Sequence, residues 1–147
     1  MQKLLTLMFD FLKKLFYSKS KLKFAPDPLI ISALVTGVEK HPNADRLRVV
    51  KLEVGGKEIY PVVCGAFNFE AGAKVVLALP GATIAQNIHS ETHKPFVLEK
   101  AKIRGIESQG MICAAFELGL ADKPGEGIMI LRNDARPGRQ FSPEMIL

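Results

Sequence analysis

Apolar positions along this chain change their spacing once, near residue 25. Before that point they recur at helical intervals: Leu4, Met8, Phe11, Leu12 and Leu15 share one face, with Lys3, Thr6, Asp10, Lys13, Lys14 and Tyr17 opposite. Leu5, Leu7, Phe9 and Phe16 widen the apolar side. The pattern predicts an amphipathic helix too short to be stable alone, which needs the domain, a second copy, a partner or a membrane surface to cover it. Few cations lie on its polar face, so packing on protein is favoured over lipid. Ala25-Pro26-Asp27-Pro28 ends the segment, because proline disfavours helix at the residue before it. The chain thus divides into residues 1–24, a basic amphipathic helix with its linker, and residues 25–147, the domain proper.

From residue 29 onward the apolar runs are short and punctuated by glycine and proline. Residues 29–38, rich in Ile, Leu and Val, predict a first strand, and residues 47–54 a second whose alternation is only partly amphipathic. Gly55-Gly56 is a hairpin signal, after which residues 58–64 return as the third strand. Residues 74–79 and 96–104 predict the fourth and fifth, with shorter runs at 110–114 and 127–131. One helical turn is expected at 115–120, closed by Gly119. Gln86, Asn87, His89, Ser90, Glu91, Thr92 and His93 make residues 82–95 read as a long exposed loop. Close-spaced strands without a βαβ rhythm predict a mainly β domain, a small closed barrel or a sandwich. A five-stranded OB-type Greek-key barrel with extra short strands, preceded by the N-terminal helix, fits the count.

Composition narrows the function. The 147 residues, 48% of them hydrophobic, suit one packed core. The apolar stretch at residues 4–9 is broken by Asp10, followed by Lys13 and Lys14, and lacks a small-residue cleavage site, so a cytoplasmic location is expected. The net charge of +5 belongs to residues 1–23, where six lysines face one aspartate; residues 24–147 hold 14 basic and 14 acidic residues. Any basic face on the domain must therefore arise from local arrangement. Cys64 and Cys113 stand apart without a CxxC partner and read as small buried apolar side chains. His89 and His93 have an i, i+4 spacing, but no nearby Glu or Cys completes a ligand set, so neither metal nor cofactor is expected. GxSxG, GxxxxGK[ST] and GxGxxG are absent, which argues against an enzyme.

Binding has better candidates. Lys100, Lys102 and Arg104 recur at every second residue, so on a strand they project from one face and can bridge successive phosphates, with Ala101 and Ile103 toward the core. The same alternation also suits a solvated edge strand guarded by charge. His41-Pro42-Asn43-Ala44-Asp45 is a turn, mainly structural, with Arg46 and Arg48 beside it as the better contact candidates. Aromatic residues are sparse: there is no Trp, and of nine Phe only Phe67, Phe69 and Phe96 fall in or beside loops. RNA recognition by folded shape and backbone is thus favoured over base stacking, and one of Phe67 and Phe69 is expected to anchor its loop in the core.

Six blocks occur in order: His41-Pro42-Asn43-Ala44-Asp45-Arg46-Leu47, Val63-Cys64-Gly65-Ala66-Phe67-Asn68, Ala78-Leu79-Pro80-Gly81-Ala82, Lys102-Ile103-Arg104-Gly105, Glu107-Ser108-Gln109-Gly110-Met111-Ile112-Cys113 and Glu117-Leu118-Gly119-Leu120. Together they resemble the tRNA-binding OB domain of the bacterial phenylalanyl-tRNA synthetase beta subunit, and more distantly the C-terminal module of methionyl-tRNA synthetase and endothelial-monocyte-activating polypeptide II. The resemblance implies a non-catalytic module that binds folded tRNA, alone or in trans with an aminoacyl-tRNA synthetase. It adds Ser108 and Gln109 to Arg46, Arg48, Lys100, Lys102 and Arg104 as RNA-binding candidates. A split N-terminal part of the synthetase beta subunit is one alternative, and a dimeric chaperone-like protein-binding module another. The chain departs from the family in its Lys/Leu/Phe helix, in ending at Leu147, and in carrying Phe67 where proline commonly follows Cys-Gly-Ala.

Overall fold

Ile and Val runs punctuated by glycine and proline fold where the spacing predicts strands. The computed structural model describes residues 23–147, and the helix expected within residues 1–24 lies outside the described residues. Nine strands follow in chain order: β1 (Ile30–Lys40), β2 (Arg48–Glu53), β3 (Glu58–Cys64), β4 (Lys74–Ala78), β5 (Thr83–Ile84), β6 (Phe96–Val97), β7 (Ala101–Ile103), β8 (Ile106–Ser108) and β9 (Met111–Ile112). A 3-10 turn at Pro143–Met145 comes last.

The framework is a five-stranded antiparallel sheet in the order β3-β2-β1-β4-β9. Strand β1 is long enough to serve two neighbours, pairing with β4 over residues 30–34 and with β2 over residues 34–40. Register shifts between Val35 and Gly37 in β1 and between Val50 and Leu52 in β2 increase the local twist, and the sheet curls into a half-barrel. Its outer edges are then bridged. Gln109 N donates to Pro61 O at 2.9 Å and Val63 N to Ser108 Oγ at 2.9 Å, which ties β3 to the segment leading into β9.

Strand β4 explains why its sequence is apolar at every position after Lys74. Val76 and Ala78 face one core cluster, with Ile30, Ile84, Cys113, Leu118 and Phe141; Val75 and Leu77 face another, with Val35, Leu52, Val62 and Phe69. A strand buried on both faces carries no polar alternation. Cys64 and Cys113 are free and buried within these clusters, and burial raises both thiols above their ordinary value.

Four local expectations change. The strand predicted over residues 96–104 is interrupted: β6 pairs back on β5, Leu98 exchanges hydrogen bonds with Ala82 O and Gly81 N, and β7 turns into a hairpin with β8. Ala101 is exposed rather than core-facing, and Ile103 is half-buried. Residues 82–95 are not wholly an exposed loop, because Ala82, Ile84 and Gln86 are buried at alternate positions and Gln86 Nε2 donates to Phe116 O and Ala121 O, each at 2.9 Å. The run at 127–131 forms isolated bridges, Val75 to Ile130 and Leu131 to Ile146, instead of a strand.

The turn at 115–120 forms as its glycine predicts. Leu120 N bonds Ala115 O at 2.9 Å and Gly119 N bonds Phe116 O at 3.0 Å, the paired closure that a left-handed residue permits, and Gly119 has φ of 75°. Among the described residues no helix is long and apolar enough to cross a membrane.

Candidate nucleic-acid interface

His41 follows directly on β1 and is only 1% exposed. Its Nδ1 accepts the Asn43 N–H at 3.0 Å, which leaves the ring proton on Nε2 to be donated to Ile103 O at 3.1 Å. Asn43 Nδ2 donates to Arg104 O at 3.3 Å, and the turn closes with His41 N to Leu47 O at 3.2 Å. Two segments far apart in sequence are therefore latched together, the side chains of one on the backbone carbonyls of the other. Arg46 sits exposed on the turn, while Lys102 and Arg104 sit exposed on the β7–β8 hairpin that the turn holds.

Arg104 and Gly105 form the two-residue loop of that hairpin, with Ile103 paired to Ile106. Their φ values are 51° and 91°, the left-handed pair that a right-twisted hairpin needs. Glycine enters this region freely; arginine there is uncommon, and such strain concentrates at functional sites. Arg104 is thus held at a hairpin tip at some expense in local conformation.

The expected three-cation stripe does not form. Lys100 precedes β7 and is exposed, Lys102 alone lies in the strand, opposite Glu107 in the register, and Arg104 belongs to the turn. Arg48 departs further from a surface role. It is 8% exposed, Nη1 meets Glu70 Oε1 at 3.0 Å, and Nη2 donates to Ala66 O at 3.1 Å and Phe69 O at 2.8 Å. Its guanidinium lies 4.8 Å from the Phe67 ring centre and 4.6 Å from that of Phe69. The period-2 pattern of β2 explains this, since Arg48 shares a side with the buried Val50 and Leu52.

Ser108 is also interior. Its hydroxyl accepts Val63 N–H at 2.9 Å and donates to Gly110 O at 2.8 Å, tying β3 to the segment before β9. Gly110 is required there by close approach: a Cβ would stand 2.7 Å from Ala78 O. Gln109 is half-buried, with its backbone N–H on Pro61 O and its side chain on Glu107 O at 3.3 Å.

Of the two loop phenylalanines, Phe69 is 5% exposed and Phe67 is 56% exposed. One anchors and one does not, as the sequence predicts: Phe69 joins the core cluster of Val35, Leu52 and Val62, and Phe67 projects. Beside this loop, Leu47, Gly65, Ala66, Ile103, His89 and Glu117 help to line a largely apolar groove of about 480 Å³. Burial raises the Glu117 carboxyl above its ordinary 4.5, opposed by the Ala114 N–H it accepts at 2.9 Å and by the charge of His89. Among the described residues no three His, Cys, Asp or Glu side chains gather as a metal site.

Comparison with known proteins agrees with the family resemblance. A family profile described as "Putative tRNA binding domain" matches residues 30–140. The phenylalanine–tRNA ligase beta subunit of Neisseria meningitidis is 44% identical over 109 residues, covering 74% of this chain and 13% of that subunit. The beta subunit of Chlorobaculum tepidum is 46% identical over 117 residues, covering 80% of this chain and 14% of its own length. The "Putative tRNA-binding protein YtpR" of Bacillus subtilis is 43% identical over 115 residues, covering 78% of this chain and 53% of that protein. This chain therefore spans about an eighth of the curated ligase subunits it matches and about half of the YtpR protein. The MetRS-related protein of Pyrococcus horikoshii shares the fold, with a TM-score of 0.53 and 16% identity over 77% of this chain and 88% of that one.

Proposed function

The chain belongs to the tRNA-binding domain family, and from that premise we propose that it is a non-catalytic module of the OB type that binds folded tRNA by shape and backbone contacts. It acts alone or in trans with an aminoacyl-tRNA synthetase in the cytoplasm. Arg46, Lys100, Lys102 and Arg104 supply the phosphate contacts, with Gln109 beside them; Arg48 and Ser108 serve by holding the framework. The observation that carries this reading is the latch from His41 and Asn43 to the Ile103 and Arg104 carbonyls, which ties the hairpin carrying the exposed, left-handed Arg104 to the turn carrying the exposed Arg46. A stable fold gains nothing from Arg104 at that position, whereas a phosphate contact does.

The test is binding of tRNA, single-stranded RNA and duplex DNA of similar length across a salt series. Four cations each neutralising one phosphate give a slope of about 3 to 4 in log K against log salt. Preference for tRNA near physiological salt is expected, and a Lys100→Ala, Lys102→Ala, Arg104→Ala variant should lose about 2 to 3 of that slope while remaining folded. Equal binding of all three nucleic acids would refute the reading, and an unaltered slope in the folded variant would refute the contact assignment.

A second reading, that the chain is a split N-terminal part of a phenylalanyl-tRNA synthetase beta subunit, draws support from the 44% identity to such a subunit. It predicts that the chain co-purifies with the remaining synthetase polypeptides and that phenylalanylation depends on it. Unchanged phenylalanylation in its absence removes this reading.

A further inference from the structure

We propose that Phe67 is a stacking platform for one unpaired base of the bound RNA. The proposal rests on the tRNA reading above and adds a base contact to its backbone contacts. Its ground is one guanidinium shared by two rings. The Arg48 guanidinium lies 4.6 Å from the Phe69 ring centre and 4.8 Å from that of Phe67, and while Phe69 is buried, Phe67 remains 56% exposed. One buried cation thus touches both a buried ring and an exposed one.

The platform is fixed before any ligand arrives. Arg48 Nη2 holds the carbonyls of Ala66 and Phe69, on either side of Phe67. The next residue, Asn68, pairs with the backbone of Ile128 in both directions: Nδ2 donates to Ile128 O and Oδ1 accepts Ile128 N–H, each at 3.0 Å. Residues 66, 68 and 69 are thus anchored while the ring between them points outward. An aromatic side chain with few rotatable bonds on an immobilised backbone loses little freedom when a base lands on it.

Chemistry and position both favour a base. A cation behind one face of an aromatic ring draws on its negative face, leaving the outer face better suited to the electron-rich face of a nucleobase. Gly65 lies against the Arg46 carbonyl, 3.8 Å from where a Cβ would stand, so the platform begins beside the turn that carries a phosphate-contact arginine. Stacking tolerates any base and needs one that is already unpaired, as in a loop or a single-stranded end of a folded RNA. The sparse aromatic content of the chain does not oppose this, because one well-held ring serves one base.

The chain contains no Trp, so Phe67→Trp introduces a single indole reporter. Titration with tRNA should quench its fluorescence, saturating at the concentration that saturates binding. Phe67→Ala should weaken tRNA binding by about 5- to 150-fold, the range expected for one stacked base, while leaving the salt slope unaltered because no phosphate contact is lost. Phe67→Tyr should bind like the parent. A folded Phe67→Ala chain that binds tRNA within about twofold of the parent overturns the proposal, as does an indole whose emission ignores saturating tRNA or a Phe67→Ala salt slope that falls by a full contact. If the parent itself binds no tRNA, platform and tRNA reading fall together; if the parent binds and only these variants disagree, the platform alone is wrong.

Discussion

The imidazole of His41 and the carbonyl of Ile103, 62 residues apart in sequence, are joined by a 3.1 Å hydrogen bond whose direction is set by the Asn43 amide on the other ring nitrogen. Because both ring nitrogens are engaged and the side chain is buried, His41 holds the β7–β8 hairpin against the end of β1. His41→Ala leaves an acceptor and a donor without their partner and opens a void, and should cost about 2 to 4 kcal/mol of stability. Urea unfolding reads this directly, and faster hydrogen exchange at the Asn43 amide should accompany it. A loss below about 1 kcal/mol would remove the latch as the hairpin's main support.

Arg104→Asn separates binding from folding. Asparagine tolerates the left-handed region that Arg104 occupies at φ of 51°, and Asn-Gly is the preferred pair for this two-residue hairpin. The variant should be more stable than the parent by about 0.5 to 1 kcal/mol. It should bind tRNA more weakly, with the salt slope reduced by about 0.7 to 0.9. Stability and affinity moving in opposite directions is the signature of a residue retained for contact; a variant that gains both shows that Arg104 touches no phosphate.

Much of the sheet is legible in the sequence, for a physical reason that also marks where legibility stops. Strands β1 to β4 are apolar runs punctuated by glycine and proline, and their burial follows that pattern. Residues 96–104 mislead because Lys100, Lys102 and Arg104 keep strand spacing while the backbone does not: Leu98 is claimed by Ala82, and Arg104 turns left-handed at a position where only Gly105 hints at it. Arg48 misleads through its charge. Its spacing with Val50 and Leu52 placed it on the buried side of β2, but the carbonyls and rings that accept it there come from residues 66–70, brought near only by folding. The role of His41 was legible as structural, yet its partner in β7 was not, since no local pattern pairs residues 62 apart.

Ser108→Ala asks whether this buried hydroxyl contacts RNA or supports the fold. The hydroxyl accepts Val63 N–H and donates to Gly110 O in a buried site, so removing it strands two polar groups and should cost about 1 to 3 kcal/mol. Protection of the Val63 amide from exchange should fall, because this bond helps to bridge the β3 edge. The tRNA salt slope should remain that of the parent under conditions where the variant is folded. A reduced slope with unaltered stability would move Ser108 back among the contacts.

Glu117 makes stability depend on pH in the direction opposite to most carboxylates. Its pKa is raised, first by burial, while the Ala114 N–H it accepts and the charge of His89 oppose the rise. A carboxyl whose folded pKa exceeds its ordinary value of 4.5 holds its proton more tightly in the folded chain than in the unfolded one. Its contribution is therefore fully present below that value, declines as pH rises through the folded pKa, and is constant above it. Glu117→Gln keeps an oxygen for the Ala114 amide but does not titrate. Denaturant unfolding of parent and variant between about pH 4 and pH 7 isolates the effect, since the other carboxyls cancel in the difference. The stability of the variant relative to the parent should rise across that interval and level off once Glu117 is ionised. Parallel profiles, or a relative stability that falls with pH, would show that burial does not penalise this carboxylate.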